Sequence, residues 1–219
     1  MILTKRKVFI SYYHADDQRY KEALCRWNEQ HEIFIDKSVD TGDIDESLPH
    51  ASIRRIIRDQ YLRDSSVTIL LAGPNTAGRK HVDWELYSSM YNGSINKQSG
   101  ILVINLPETR CEAIFASHGI IEKKEVYPEY KTESWYEIDT RSEHESRYPH
   151  LSDRIIDNLT NTSSNISVTS WNKITQKPHY LRTLIELTAK ERANNNYDLK
   201  RPMRHADSPL PNPFSGLFA

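Results

Sequence analysis

The sequence predicts an α/β protein with a mostly parallel central sheet and helices on both of its faces. Two observations support this fold class. Short, continuously apolar runs such as Val67–Ala72 are typical of strands that are buried on both faces. Segments with helical spacing of apolar residues separate these runs, and such alternation implies right-handed crossovers between parallel strands. A chain of 219 residues can form one core of ordinary size, which predicts a single domain.

The first half of the chain contains four predicted strands and three predicted helices. Strands are expected at residues 7–12 (KVFISY), 32–36 (EIFID), 67–72 and 100–106. A helix over 18–29 carries Tyr20, Ala23, Leu24 and Trp27 at helical spacing, after a start at which Asp16 or Asp17 could cap. Helices over 51–64 and 79–91 have similar apolar stripes. We expect the domain core at 5–106.

The second half follows this pattern less regularly. Residues 107–150 predict an elaborated connection with one short edge strand near 135–138. A short helix is expected at 151–159, a strand or turn at 166–169 and a longer helix at 178–194. We therefore predict one domain over 1–200, elaborated at 107–200, followed by a Pro-rich tail at 201–219. That tail could dock on the domain, dock on a neighbour or be disordered.

Composition excludes several classes of function. The net charge of −1 attracts neither nucleic acid nor an anionic membrane, and we interpret the basic run at 54–58 as one face of an amphipathic helix. The two cysteines are far apart, and the nine histidines are scattered without a metal-binding motif, so no metal is expected. No apolar stretch reaches the length of a membrane span, and no signal peptide is evident. These features predict a cytoplasmic protein.

The main candidate for a catalytic residue is Glu85. It lies about one turn into the third predicted helix, after a buried strand and a Gly-Pro-Asn-Thr turn. This position is close to the carboxyl end of a strand, where open α/β sheets form their ligand crevice.

Three segments carry a resemblance to a known family. They are KVFISYYHADD, FIDKSV and the strand VTILLAG with the following turn and helix that contains Glu85. Over residues 5–106 the chain resembles the Toll/interleukin-1 receptor (TIR) domain, and in particular the TIR-like proteins of Thoeris anti-phage defence. The resemblance implies a flavodoxin-like fold with a five-stranded parallel sheet.

The resemblance also implies an activity. Enzymatic TIR domains cleave the nicotinamide–ribose bond of NAD, and the position of their catalytic glutamate corresponds to Glu85. In Thoeris, phage infection triggers a TIR protein to convert NAD into a cyclic ADP-ribose isomer or related signal, which activates a separate effector protein. Many TIR enzymes have a Trp four residues before the glutamate. Here that residue is His81, and Trp84 is adjacent to Glu85 instead.

A single carboxylate fits this chemistry. Nicotinamide leaves the ribose as a neutral ring, so no acid is needed to protonate it, and positive charge develops on the ribose. A carboxylate with an ordinary pKa near ~4.3 is ionised at neutral pH and can stabilise that charge. Water would then give ADP-ribose, whereas a hydroxyl of the same molecule would give a cyclic product.

The ends of the first two strands are expected to form the pocket wall. Its predicted NAD-binding residues are Ser11, Tyr12, Tyr13, His14, Asp36 and Lys37, together with His81 and Trp84. Aromatic rings could stack on the nicotinamide or adenine, and Lys37 could neutralise a phosphate. The acidic loop at 40–46 and the apolar tail are surfaces on which a homo-oligomer could assemble and complete the site.

Other functions that this fold can carry have less support in the sequence. A two-component receiver needs an Asp at the end of the third strand, where Ala72-Gly-Pro stands instead. A Rossmann dinucleotide site needs a Gly-rich first turn, and residues 11–17 contain no Gly. A non-catalytic TIR adaptor and a nucleoside-processing hydrolase remain as alternatives.

Overall fold

A computed structural model describes residues 5–38, 47–94, 96–135 and 137–209. Its strands form one parallel sheet in the order β2-β1-β3-β4-β5. Their bounds are β1 Lys7–Ser11, β2 Ile35–Asp36, β3 Val67–Ala72, β4 Gly100–Asn105 and β5 Ser167–Ser170. This order is the flavodoxin-like one. The predicted fold class is therefore confirmed, and the segment at 166–169 that the sequence left as strand or turn belongs to a strand.

Helices cover both faces of this sheet. Within the described ranges they are α1 His14–His31, α2 His50–Ile56, α3 Lys80–Met90, α4 Gly119–Val126, α5 Arg141–Arg147, α6 Asp153–Thr160, α7 Trp171–Gln176 and α8 Pro178–Glu191. Side-chain caps explain where two of these helices begin. The Thr140 and Glu143 side chains form a capping box for α5, and Ser152 caps α6.

The core has two layers because the side chains of β3 alternate between the faces of the sheet. Val67, Ile69 and Leu71 pack in one cluster with residues of α1 and α8, such as Leu24 and Leu184. Leu70 and Ala72 pack in the other cluster with residues of α3 and α6. All residues of β3 and β4 are buried, as the apolar runs predict.

The second strand is shorter than predicted. Residues 32–36 were expected to be extended, but only Ile35 and Asp36 pair with β1. The buried Asn28 side chain accepts hydrogen bonds from the backbone N–H groups of Ile33 and Phe34 and donates to the Phe34 carbonyl. These bonds satisfy backbone N–H and carbonyl groups between α1 and β2, which therefore need no partner strand.

Two helices also differ from their predicted bounds. α1 begins at His14, four residues earlier than expected, so His14 lies in its first turn. The predicted helix at 51–64 consists of α2 followed by a π-helical turn at Ile57–Tyr61. Such turns insert one residue into the helical repeat and shift the faces on which later side chains lie.

The elaborated second half contains more helix than the sequence predicted, since α4, α5 and α7 were not expected. The predicted edge strand near 135–138 is absent from the described part of that segment, which follows a 3₁₀ turn at Thr132–Ser134. Phe115 instead forms an isolated antiparallel bridge with Val168 of β5. The acidic loop predicted at 40–46 and residues 210–219 of the tail lie outside the described residues.

The described part of the tail docks on the domain. We call residues 199–209 the C-terminal strap. Met203 of the strap is buried in a third apolar cluster with Phe9 of β1 and Trp84 of α3. The strap therefore packs against the helix that carries Glu85.

Candidate active site

The candidate site lies where the strand order reverses. From β1 the chain goes to β2 on one side, and β3 then pairs with β1 on the other side. Ser11 is the last residue of β1, and Gly73 follows β3 directly. Their carboxyl ends therefore flank the crevice in which proteins of this topology bind ligands.

Glu85 and Ser11 meet at this position. The Ser11 hydroxyl donates a hydrogen bond of 2.6 Å to Oε2 of Glu85. Ser11 is fully buried, and Glu85 is 4 % exposed. Burial of a carboxylate is costly unless its oxygens accept hydrogen bonds, and the Ser11 hydroxyl supplies one. The structure thus brings together the predicted catalytic residue and one predicted ligand-binding residue, which are 74 positions apart in sequence.

A buried ion pair fixes the helix that carries Glu85. The Arg154 guanidinium of α6 donates to both carboxylate oxygens of Asp83, with distances of 2.7 and 2.9 Å. Arg154 also donates to the carbonyls of Arg201 and Pro202 in the strap. Asp83 accepts a further bond from the Arg204 backbone N–H. The pair therefore joins α3, α6 and the strap.

The strap also contacts the first turn of α3. Its Asp207 carboxylate accepts a 2.7 Å hydrogen bond from the Lys80 backbone N–H, one of the N–H groups without a partner inside the helix. The Ser208 backbone N–H donates to the Gly78 carbonyl. Arg79, just before the helix, donates to the Ser208 carbonyl. A negative carboxylate at this helix end also complements the helix dipole.

Trp84 contacts both the strap and His81. The Trp84 ring packs in the third apolar cluster, and its Nε1–H donates to the Arg204 carbonyl at 2.8 Å. His81 contacts the Trp84 ring edge to face, with centroids 5.1 Å apart. Trp84 is therefore a buried residue that attaches the strap to α3.

The aromatic residues after β1 are divided between two environments. Tyr12 and His14 stack in parallel, with ring centroids 4.3 Å apart and planes within 5°. Tyr13 instead lies under the guanidinium of Arg79, 5.0 Å from its ring centroid. The stacked pair presents an exposed imidazole beside a buried phenol ring at the end of β1.

Asp36 and Lys37 lie at the end of β2. The Cys25 thiol donates to the Asp36 carboxylate at 3.2 Å, and Lys21 is 3.8 Å away. Burial, with the neighbouring carboxylate, raises the pKa of Cys25 to about 11. Lys37 is exposed, and its backbone N–H donates to the Val8 carbonyl. Asp36 thus has partners on α1.

Asp17 is a buried residue that the sequence analysis treated only as a helix cap. The Thr76 hydroxyl donates to its carboxylate at 2.8 Å and itself accepts the Gly73 N–H at 2.9 Å. Burial raises the pKa of Asp17 to about 6. A Cβ at position 73 would lie 2.4 Å from Asp17 Oδ1, so the glycine permits this approach. In the sequence, the glycine directly after the third predicted strand was the signal that could have indicated this close contact.

The described residues hold no group of three His, Cys, Asp or Glu side chains that could bind a metal ion. Among those same residues, no helix combines the length and the apolar character required to cross a membrane.

Comparison with known proteins identifies the first half of the chain. No curated protein matches the sequence. Residues 9–111, slightly less than half of the chain, match the family model described as Thoeris protein ThsB, TIR-like domain. The match spans β1 to β4 and includes Ser11 and Glu85. Over these residues the chain is therefore similar to the TIR-like domain of Thoeris ThsB proteins.

Proposed function

We propose that this Thoeris TIR-like protein cleaves the nicotinamide–ribose bond of NAD and releases a cyclic ADP-ribose-type or related signal. The observation that carries the proposal is the buried contact between Ser11 and Glu85 at the reversal of strand order. An isolated surface carboxylate would support no such activity. A carboxylate held at the ligand crevice by a hydroxyl has both the position and the fixed orientation that the reaction requires.

In the proposed reaction, the bond between the ribose C1′ and the nicotinamide nitrogen breaks. The bonding electrons stay with the ring, which leaves neutral, and positive charge develops on the ribose. Glu85 stabilises this charge electrostatically, and Ser11 keeps its carboxylate in place. An oxygen of water or of the same molecule then bonds to C1′ and loses its proton to solvent.

The stacked Tyr12 and His14 rings extend the proposed site. They offer a flat surface beside the end of β1 on which a nicotinamide or adenine ring could stack. Enclosure of the substrate decides which product forms. If the closed site excludes water, the only nucleophile that can attack C1′ is a hydroxyl of the same molecule. A phage-derived trigger would start the reaction, and the product would activate the effector protein of the same defence system.

Product analysis in infected cells tests this proposal. Cells carrying the wild type, Glu85→Gln or Ser88→Ala would be infected with a panel of phages, and their nucleotides compared by mass spectrometry. Ser88 is a matched control because it is a buried residue of the same helix whose hydroxyl has no hydrogen-bond partner. We expect NAD loss and a new ADP-ribose species with the wild type and Ser88→Ala, and neither with Glu85→Gln.

The same experiment recognises the non-catalytic alternative. If all three proteins protect the cells while NAD stays constant and no new nucleotide forms, the protein acts as an adaptor through assembly, and the proposal of NAD cleavage is wrong.

A further inference from the structure

A concave surface lies at the end of the sheet opposite to Glu85. Its volume is about 410 Å³, within the range of small-molecule sites. We call it the arginine groove, and its main lining residues are Arg54, Arg55, Arg58, Asp59 and Tyr91. Arg58 donates to the hydroxyl of Ser99, the residue before β4, so the groove adjoins the amino ends of the strands.

The groove has an excess of positive charge. Among the described residues, none of its three arginines lies within ion-pair distance of a carboxylate. Its one acidic residue, Asp59, accepts a hydrogen bond from the Asn96 side chain at 2.8 Å. Among the described residues of the lining, three guanidiniums and one carboxylate give a charge of about +2.

Arg58 provides a second, independent observation. It is 4 % exposed, and its Nε–H is buried without a hydrogen-bond partner. Its other nitrogens donate to the Ser99 hydroxyl and to the Lys97 carbonyl, which are neutral acceptors. Burial, together with the charge of nearby Arg192, lowers the pKa of Arg58 to about 10. A buried cation whose hydrogen-bond acceptors are both neutral costs free energy, which a bound anion would offset.

Arg54 is already ordered for binding. Its guanidinium lies 3.7 Å from the centroid of the Tyr91 ring, which holds the long side chain against the groove wall. An arginine stacked on an aromatic ring loses little further freedom when its N–H groups bind a phosphate. The π-helical turn at Ile57–Tyr61 contains Arg58 and Asp59, and turns of this kind are frequent at functional sites.

We propose that the arginine groove binds a nucleoside diphosphate. Arg54 and Arg55 would bind the phosphate oxygens, Arg58 would supply the buried positive charge beneath them, and the Tyr91–Arg54 pair would contact the base. The positive charge of the groove complements the negative charge of a diphosphate. A nucleic acid backbone fits less well, since the whole chain has a net charge of −1.

Calorimetric titration of the full-length protein with ADP tests the proposal. The double variant Arg54→Gln/Arg55→Gln should weaken binding at least tenfold. Arg63→Gln, an exposed arginine outside the groove, should leave the affinity unchanged. Equal affinity in the wild type and the double variant, or no binding by the wild type, would refute the proposal.

Two further probes separate the nucleoside from the phosphate. Inorganic pyrophosphate should bind more weakly than ADP. Tyr91→Leu should reduce the affinity for ADP by a larger factor than the affinity for pyrophosphate, because it releases Arg54 with both ligands but removes the contact with the base only for ADP. If Tyr91→Leu changes both affinities by the same factor, or if pyrophosphate binds as tightly as ADP, the groove recognises phosphate only and the assignment to a nucleotide is wrong. Circular dichroism of each variant establishes that it is folded.

Discussion

Arg154 and Asp83 form a two-bond ion pair in which the guanidinium is fully buried. Asp83 stands two residues before Glu85 on α3, and Arg154 comes from α6 in the elaborated second half. The helix that carries the candidate catalytic residue is therefore fixed by a part of the chain outside the matched 9–111 segment.

Removal of Arg154 should destabilise the protein strongly. Arg154→Met leaves the Asp83 carboxylate buried with its main partner gone, and we expect a loss of about 3 to 5 kcal/mol in the free energy of unfolding. Denaturant unfolding measures this loss. The exposed pair Arg19–Glu108 provides the control, since Arg19→Gln should cost less than about 1 kcal/mol. The double variant Arg154→Met/Asp83→Asn should recover part of the stability, and a single-variant loss as small as that of Arg19→Gln would contradict the assignment.

Ser11→Ala should lower NAD turnover while preserving the fold. The variant deletes the 2.6 Å bond to Glu85, so the carboxylate loses one of the contacts that orient it. On the proposed function, we expect a roughly 10- to 100-fold decrease in the rate of NAD loss, measured by mass spectrometry with the purified protein and its trigger. Ser88→Ala should behave as the wild type, and an equal loss in both variants would show a general effect on α3.

Gly73→Ala should strain the turn after β3. The added methyl group would overlap the Asp17 carboxylate, which must move away from its bond with Thr76. We expect a loss of about 1 to 3 kcal/mol, as for other overpacked sites. Thermal unfolding of Gly73→Ala and of Gly73→Ala/Asp17→Ala tests the cause. The double variant should be no less stable than Asp17→Ala alone if the overlap is the source of the strain.

Glu122 should make stability depend on pH. Its side chain is fully buried and accepts bonds from the His118 backbone N–H and the Ser167 hydroxyl. Burial raises its pKa from 4.5 to about 7. The folded protein therefore keeps a proton that the unfolded chain releases, so stability falls as the pH rises from about 4.5 to about 7 and is constant above.

Glu122→Gln removes this titration. Across that pH range the wild type should lose roughly 2 to 3 kcal/mol relative to the variant, a difference that denaturant unfolding at several pH values can measure. Parallel pH profiles for the two proteins would mean that Glu122 titrates normally in the folded state.

The parts of the fold that the sequence predicts well are those with continuous apolar runs. β3 and β4 have their predicted starts, because each residue is buried and no polar side chain competes for the backbone. The second strand is shorter than predicted because the side chain of Asn28, at the end of α1, bonds the backbone of Ile33 and Phe34. Propensity cannot reveal such a bond between a helix side chain and a loop.

The candidate site was predictable in part because Glu85 follows one of these continuous apolar runs. The position of Glu85 after a strand and a turn placed it at the crevice, and the end of β1 indicated Ser11. Trp84 could not be assigned, since its orientation depends on Met203 and Arg204 of the strap. The Arg154–Asp83 pair joins residues 71 positions apart, and only tertiary structure shows it.

The strap has a consequence for the order in which the protein is completed during synthesis. Asp207 binds the first turn of α3 across 127 residues of sequence. On the ribosome, the sheet from β1 to β4 and the helix with Glu85 emerge long before the residues that hold that helix in place. Contacts so distant in sequence form late in folding. A nascent or prematurely terminated chain would thus contain the Ser11 and Glu85 side chains without the support of α3, and the candidate site would stay incomplete until translation had passed the strap.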